Sequence, residues 1–499
     1  MLGPCEGLLI LAAFVLIFQF VKLKCQSCRL PPGPPPLPLI GNLWTLNFQL
    51  HYGRLMQLAK TYGNVYTLWV GHMPFVVLNG YDAVRNALVS HSEELSGRPV
   101  SPFFMDLMGE KGVILTSGHT WQQQRRFDLM TFRNLGLGKK GLEHRIQDEA
   151  QHLLETLTRE KGNPIDPSRC LVHTVCNVIS CVVFGRRFHV EDPIFQQLLK
   201  AIDLTIGAPG TFSGRMYDLF PQLMRLLPGP LNKVFQHYDM LLSFIMREVK
   251  THRQSPEESL QDFIAFYLDQ ISKTRDDPSS TYTEDNMVQM VADLFITGTE
   301  TTTTALRWAL LYMVVHPIIQ GKVQQELDTI IGPSQEIKYE DRKKLPYTNA
   351  VIHEILRYGN IVSVGLPRLC LKDTVLQGFP IKKGTIILPN LSSVLYDPEC
   401  WETPQEFNPC HFLDHEGNFI NREAFLPFSA GQRMCLGEQM AKIEFFIIFT
   451  SLLHAFTFRL PEGVKEARCD FILLATLQPH PYKICAIPRK MKRSPNVMW

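Results

Sequence analysis

The hydrophobic pattern along this chain changes period several times, and the changes mark its elements. "NVYTLWVGHMPFVVLNG" forms two β-rich runs about a turn at Gly71 to Pro74 and predicts a hairpin. "YDAVRNALVSHSEEL", directly after it, spaces its apolar residues for a helix. Strand signals then lapse until "KDTVLQGFPIKKGTIILPN" and "FILLATLQPHPYKICAIP", where short pairs are predicted around Gly378, Gly384 and Pro479 to Pro481. Between these regions the pattern is helical, so the predicted fold class is mainly α with a minor β portion.

The longest predicted helix starts after Thr283, a side chain suited to an N-cap, with Glu284 and Asp285 in the first turn. It persists to His316, before Pro317, which makes it about 33 residues and near 50 Å. Its middle reads "TGTETTTT", Thr297 to Thr304, where Gly and consecutive β-branched residues have poor helix propensity. A helix that weak at its centre implies a local task.

The N-terminus reads "MLGPCEGLLILAAFVLIFQFVKLKCQSCRLPPGPPPLP". Its uncharged run from Gly7 to Val21 is shorter than the ~20 residues that span a bilayer, so Glu6 and Lys22 belong near the two interfaces. A cleaved signal peptide would carry positive charge before the apolar run and a small-residue cleavage site after it; here the charges follow and no such site appears. Residues 1–24 are therefore read as an uncleaved signal anchor. The lysines and arginine after it put the rest of the chain on the cytosolic side. Residues 25–40 are read as a Pro-rich stalk, a polyproline II spacer in "PPGPPPLP". Cys25 and Cys28 stand beside the anchor as C-x-x-C; without a second pair they predict no zinc site.

Composition narrows the rest. At 499 residues with 45% hydrophobic and 20% charged residues the chain can build a large core, and the absence of a linker-like shift after the stalk makes 41–499 one domain. A net charge of +2 gives no global field for nucleic acid, and no nucleic-acid motif appears. The 12 cysteines lack regular spacing, as expected of reduced thiols facing the cytosol.

One cysteine stands apart. Cys435 lies in "FSAGQRMCLG", just before a helical pattern that opens at Glu438. Helix amides, the dipole and Arg433 would favour a thiolate there, and the glycines would let a flat ligand approach the backbone. A nucleophile, a zinc ligand and an axial ligand to haem iron are the competing uses. Zinc wants several grouped Cys or His ligands and a nucleophile wants a base, whereas haem needs only one strong protein ligand.

Phe428, Gly431, Arg433, Cys435 and Gly437 together resemble the haem-binding loop of the cytochrome P-450 monooxygenases, F-x-x-G-x-R-x-C-x-G. Other segments match in the family's order. "HEILR" places Glu354 and Arg357 on one helix face and resembles the family's E-x-x-R pair, a structural feature behind the haem. The usual third partner is an arginine, but this chain reads "NPCHF", so His411 is the remaining donor. "TGTETT" resembles the distal-helix signature: Gly298 would leave room for dioxygen, and Thr301 and Glu300 would relay protons to it. Thr297 departs from the small residue usual at its position and would put a second hydroxyl in the pocket.

The resemblance covers nearly the whole chain. It is nearest the microsomal family 2 enzymes, with "FNPCHFLD" and "LPYTNAVIHE" similar to the fatty-acid-epoxidising J subfamily. It implies a cytochrome P-450 fold and a haem whose iron is held by Cys435. Arg98, Trp121, Arg125, Arg368 and Arg433 fall where the family contacts the haem propionates, a task suited to guanidinium and indole donors. Phe103, Phe104, Leu115, Phe295, Thr297, Val362, Leu366 and Thr476 fall at substrate-lining positions. The implied activity is hydroxylation or epoxidation of lipophilic substrates, polyunsaturated fatty acids or xenobiotics, using O2 and NADPH-derived electrons. The implied partners are NADPH-cytochrome P-450 reductase, cytochrome b5 and membrane lipid, at the endoplasmic reticulum membrane. Arg126, Arg133, Lys139 and Lys140 form a basic stretch suited to an acidic reductase. A haem-thiolate peroxide isomerase and a non-catalytic haem-thiolate sensor or carrier are the alternatives; the Glu300 and Thr301 pair favours oxygen activation over both.

Overall fold

The computed structural model describes residues 4–136, 140–254, 262–332 and 336–489. Lys139 lies outside them, as do the side chains of Cys25 and Lys140. The chain forms two compact units: Met1–Ser101 with Val362–Pro404 and Ala424–Cys435, and Pro102–Ile361 with Gln405–Glu423 and Leu436–Trp499.

The first unit holds most of the β structure. Val65–Val70 and Met73–Leu78 make the predicted hairpin, with Met73 and Pro74 already paired in the second strand opposite Val70 and Trp69. Gly71 takes a positive φ of 62°, so the connection needs only Gly71 and His72. Met73–Leu78 then pairs in parallel with Ile386–Pro389, which pairs antiparallel with Arg368–Leu369. The pair expected around Gly384 is therefore replaced by a parallel one, whose partner is some 300 residues away and invisible to a local pattern. Gly378 does turn a hairpin, Thr374–Leu376 against Phe379–Ile381. One face of the sheet packs Tyr66, Leu68, Val77 and Leu388 against Leu46, Leu55 and Leu58. The Pro-rich segment is extended, as its prolines dictate, but lies along this sheet: Thr67 donates to the Pro31 and Pro32 carbonyls and Asn42 to those of Pro34 and Pro35. A Cβ on Gly33 would stand 2.0 Å from the Thr67 carbonyl oxygen, so only glycine fits that approach.

The N-terminal helix runs Pro4–Ser27, with Glu6 in its first turn and Lys24 in its last. Among the described residues no helix is long and apolar enough to cross a membrane.

The second unit is a helix bundle around Glu284–Val315. Thr283 caps that helix by accepting from the Asn286 N–H. Its weak centre is held partly by its own threonines: Thr297, Thr299 and Thr301 donate their hydroxyls to the carbonyls of Asp293, Phe295 and Thr297. The helix packs against Ser168–Val183, Leu231–Gln254, Pro346–Gly359 and Glu438–Ala455. Phe471–Leu473 pairs with Leu477–Pro479 about residues 474 to 476. No pair forms across Pro479 to Pro481; Ile484–Pro488 joins Phe456–Arg459 instead. Prolines at 479 and 481 carry no N–H, so the segment between them makes a poor ladder.

Candidate haem and oxygen site

The cysteine loop belongs to the first unit. Cys435 N–H donates to the Phe428 carbonyl at 2.9 Å and Met434 N–H to that of Gly431 at 3.1 Å, which folds the loop back on itself and leaves Cys435 exposed. Gly431 has φ 73°, and a Cβ there would stand 1.7 Å from the Leu88 carbonyl oxygen, so a side chain would push the loop off its seat. Leu88 lies in the π turn Asn86–Ser90 that follows the helix Tyr81–Arg85.

Three arginines gather beside this loop. Gly97 bridges Leu369, and that bridge brings Arg98 and Arg368 alongside each other. Arg98 Nη1 donates to the carbonyls of Leu366 and Pro367 at 2.9 and 2.8 Å. Arg368 Nη2 donates to Ser429 Oγ at 3.1 Å, and Arg433 Nε to the Ser96 carbonyl at 2.6 Å. Carbonyls and a hydroxyl orient these guanidiniums. An exposed thiol with three such cations is a donor set that fits an iron macrocycle bearing two carboxylates.

The remaining candidates lie in the second unit, apart from Val362 and Leu366, which belong to the first. Trp121 is buried on the helix Gly118–Asn134, with the Arg125 guanidinium 5.9 Å from its ring centroid. At the centre of Glu284–Val315, Thr297 is exposed and Gly298 and Thr301 half-buried, while Val291 to Ile296 and Thr302 to Leu306 are buried. A buried helix that opens at one turn borders a gap, which is where a ligand could reach it. Gly298 has a second use: a Cβ would stand 3.1 Å from Ile179, so the missing side chain also serves close packing on Ser168–Val183.

Glu300 does not face that gap freely. Its Oε1 accepts from Thr304 Oγ1 at 3.1 Å, Thr476 Oγ1 at 3.0 Å and Gln478 Nε2 at 2.6 Å, and burial raises its pKa above the usual carboxylate range. Thr476, expected on the substrate wall, is thus a buried donor to Glu300. Phe103 and Phe295 are also core side chains here. Phe103 packs edge-on to Phe104 and Tyr217 at 5.3 and 5.9 Å, and Phe295 to Phe184 at 5.6 Å. Phe104, Leu115 and Val362 are half-buried, and Leu366 is 53% exposed.

Glu354 and Arg357 form a fully buried bidentate pair, with Arg357 Nε and Nη2 each 2.7 Å from a Glu354 oxygen. Arg357 also donates to the Glu406 carbonyl, and Glu354 accepts from Asn408 N–H at 2.8 Å and meets His411 Nδ1 at 3.2 Å. Sequence reasoning missed the Asn408 and Glu406 contacts, Gln478 and Asp293. Asp293 accepts from the Val113 and Ile114 N–H groups, and burial raises its pKa to about 6. An acid inside an apolar helical run was the available signal for Asp293.

A loop with one exposed cysteine among arginines in one unit, and a helix-rich bundle whose longest helix opens at one turn in the other, fit a haem-thiolate protein. The cytochrome P-450 family model matches residues 31–486. Cytochrome P-450 2J2 of Homo sapiens is 43% identical over 488 residues, 97% of this chain and 96% of that protein. Cytochrome P-450 2J5 of Mus musculus is 42% identical over 484 residues, 96% of each. Cytochrome P-450 2D20 of Mesocricetus auratus is 39% identical over 494 residues, 98% of this chain and 99% of that protein. The chain belongs to the cytochrome P-450 family. It is an oxidoreductase of the monooxygenase type, with a haem-thiolate iron cofactor and NADPH-derived electrons delivered through a reductase.

Proposed function

We propose that Cys435 is the iron ligand of a membrane-associated monooxygenase acting on lipophilic substrates, polyunsaturated fatty acids or xenobiotics. The observation that carries this is the exposed Cys435 in a loop seated on Leu88, with Arg98, Arg368 and Arg433 gathered around it. Bound haem supplies the activation of O2 and the insertion of one oxygen atom into substrate. The protein's residues do the rest. Arg98, Arg368 and Arg433, with Trp121 and Arg125, hold the propionates. The Thr301 hydroxyl, one residue from Glu300, orients water at the helix gap, and the Glu300 carboxyl holds a proton for it. Thr297, Phe104, Leu115, Val362 and Leu366 bear on the substrate.

Phe14, Ile17 and Phe18 are exposed on the N-terminal helix, which supports association with the endoplasmic reticulum membrane, and Lys22, Lys24 and Arg29 after them support a cytosolic catalytic domain. Arg126 and Arg133, exposed on one helix, support docking of the reductase and of cytochrome b5.

The test is the absorption spectrum of reduced protein under carbon monoxide, for wild type and Cys435→Ser. A strongly red-shifted Soret band is expected for wild type and its loss for the variant. Intact haem without that band in wild type would remove Cys435 as ligand.

A further inference from the structure

Glu300 is bound in an unusual way for a buried acid. Its three donors come from the next helical turn (Thr304) and from the strand Leu477–Pro479 and the residue before it, and all three converge on the same oxygen, Oε1. The shortest, from Gln478 Nε2, is 2.6 Å. Gln478 is itself oriented, because its Oε1 faces Arg307 Nη1 at 3.4 Å while Arg307 Nη2 donates to the Pro479 carbonyl at 3.1 Å. The amide therefore cannot flip without setting its NH2 against a guanidinium and its oxygen against a carboxyl. Trp308 Nε1 donates to the Leu477 carbonyl at 2.8 Å, so the strand is stitched to the helix over consecutive residues.

We propose that Gln478 is a positioning residue which, together with Thr304 and Thr476, saturates Oε1 of Glu300 and so places the proton of that carboxyl on Oε2. This rests on Glu300 acting as the proton holder proposed above. An oxygen that already accepts three hydrogen bonds has no lone pair left for a proton, while Oε2 receives none of the three. The neutral acid is thus held as one tautomer in one rotamer: Oε1 is the carbonyl oxygen and Oε2 the hydroxyl. When the Oε2 proton leaves to a hydrogen-bonded water, the O–H bond breaks and its electron pair stays on the carboxylate. The three donors at Oε1 then stabilise that anion until Oε2 takes a proton back from water. Besides these neutral donors, the charged group acting on Glu300 is Asp203 on the helix Pro193–Gly207, which opposes its ionisation; Arg307 in turn acts on Asp203.

The experiment is infrared spectroscopy of the haem-loaded, substrate-free protein at pH 7, with Glu300→Gln as the subtraction reference. A protonated-carboxyl C=O stretch is expected in wild type and missing in Glu300→Gln. In Gln478→Met, which keeps length and loses the amide, that band should move to higher frequency, because the carbonyl oxygen has lost its shortest donor. Thr476→Val should move it the same way by less, and provides the second variant should Gln478→Met not fold. No protonated band in wild type, or a band unmoved in both variants, overturns the assignment.

Turnover with reductase, NADPH and arachidonic acid gives the second readout. Gln478→Met should lower product formed per NADPH by about tenfold, with excess peroxide released and KM unchanged. A change confined to KM would mean that Gln478 only shapes the substrate wall, and would overturn the inference. Unaltered coupling in Glu300→Gln would sink the proton-holder reading itself, while the infrared shift would still report which oxygen bears the proton.

Discussion

Two glutamates in the same helical unit are almost equally hidden from solvent, yet the protein treats them in opposite ways. Glu354 gives both oxygens to partners, among them the Arg357 guanidinium, the Asn408 N–H and the His411 ring. Glu300 meets only neutral donors, all on one oxygen. A buried carboxylate facing a guanidinium is a fixed charge whose removal leaves its partner stranded. A buried carboxyl with neutral donors on one side is an acid with a proton to give. One fold thus places the same side chain once where it holds a loop and once in the setting that the proposed proton transfer requires, and the partner sets differ accordingly.

The largest effect should come from breaking the first of these. Arg357→Ala leaves Glu354 buried without its cation and should cost about 3–5 kcal/mol, read as a fall in the denaturation midpoint or as failure to hold haem. A loss below about 1 kcal/mol would mean that Asn408 and His411 suffice, and that Glu354 is less unlike Glu300 than its partners suggest. His411→Leu is the milder cut. It removes one contact from Glu354 Oε2 while the bidentate arginine remains, and should cost about 1–2 kcal/mol in the same measurement.

The two sites also differ in how far the sequence discloses them. Glu354 and Arg357 lie three residues apart on one helix, so their pairing is legible from spacing alone. So were the loop around Cys435, whose glycines and arginine mark it, and the long helix, whose cap and acidic first turn are local. Glu300 was legible as a residue but not as an arrangement. Thr476 and Gln478 lie 176 and 178 residues further along, and nothing in the helical pattern names them. The same limit hid the parallel pairing of Met73–Leu78 with Ile386–Pro389. It also let Phe103 and Phe295 read as pocket walls, since an aromatic on a helix looks the same in a core as beside a cavity. Gly298 shows a related limit: a glycine announces a close approach but not of what, and here Ile179 is one such neighbour.

The smallest effect is the one that separates the glutamates most cleanly. Burial raises the Glu300 pKa above its ordinary value. A group shifted in that direction contributes stability that is complete below about pH 4 and is lost as pH rises through the folded value. Glutamine is a close mimic of the neutral acid with its proton on Oε2: the amide oxygen takes the three donors and the NH2 replaces the hydroxyl. Glu300→Gln should therefore match wild type in thermal midpoint at pH 4 and exceed it modestly at pH 8. Glu354→Gln should be less stable than wild type at pH 8, because the amide no longer answers the Arg357 charge. If instead Glu300→Gln is the less stable protein at pH 8, the donors at Oε1 hold a carboxylate, and the contrast between the two glutamates collapses.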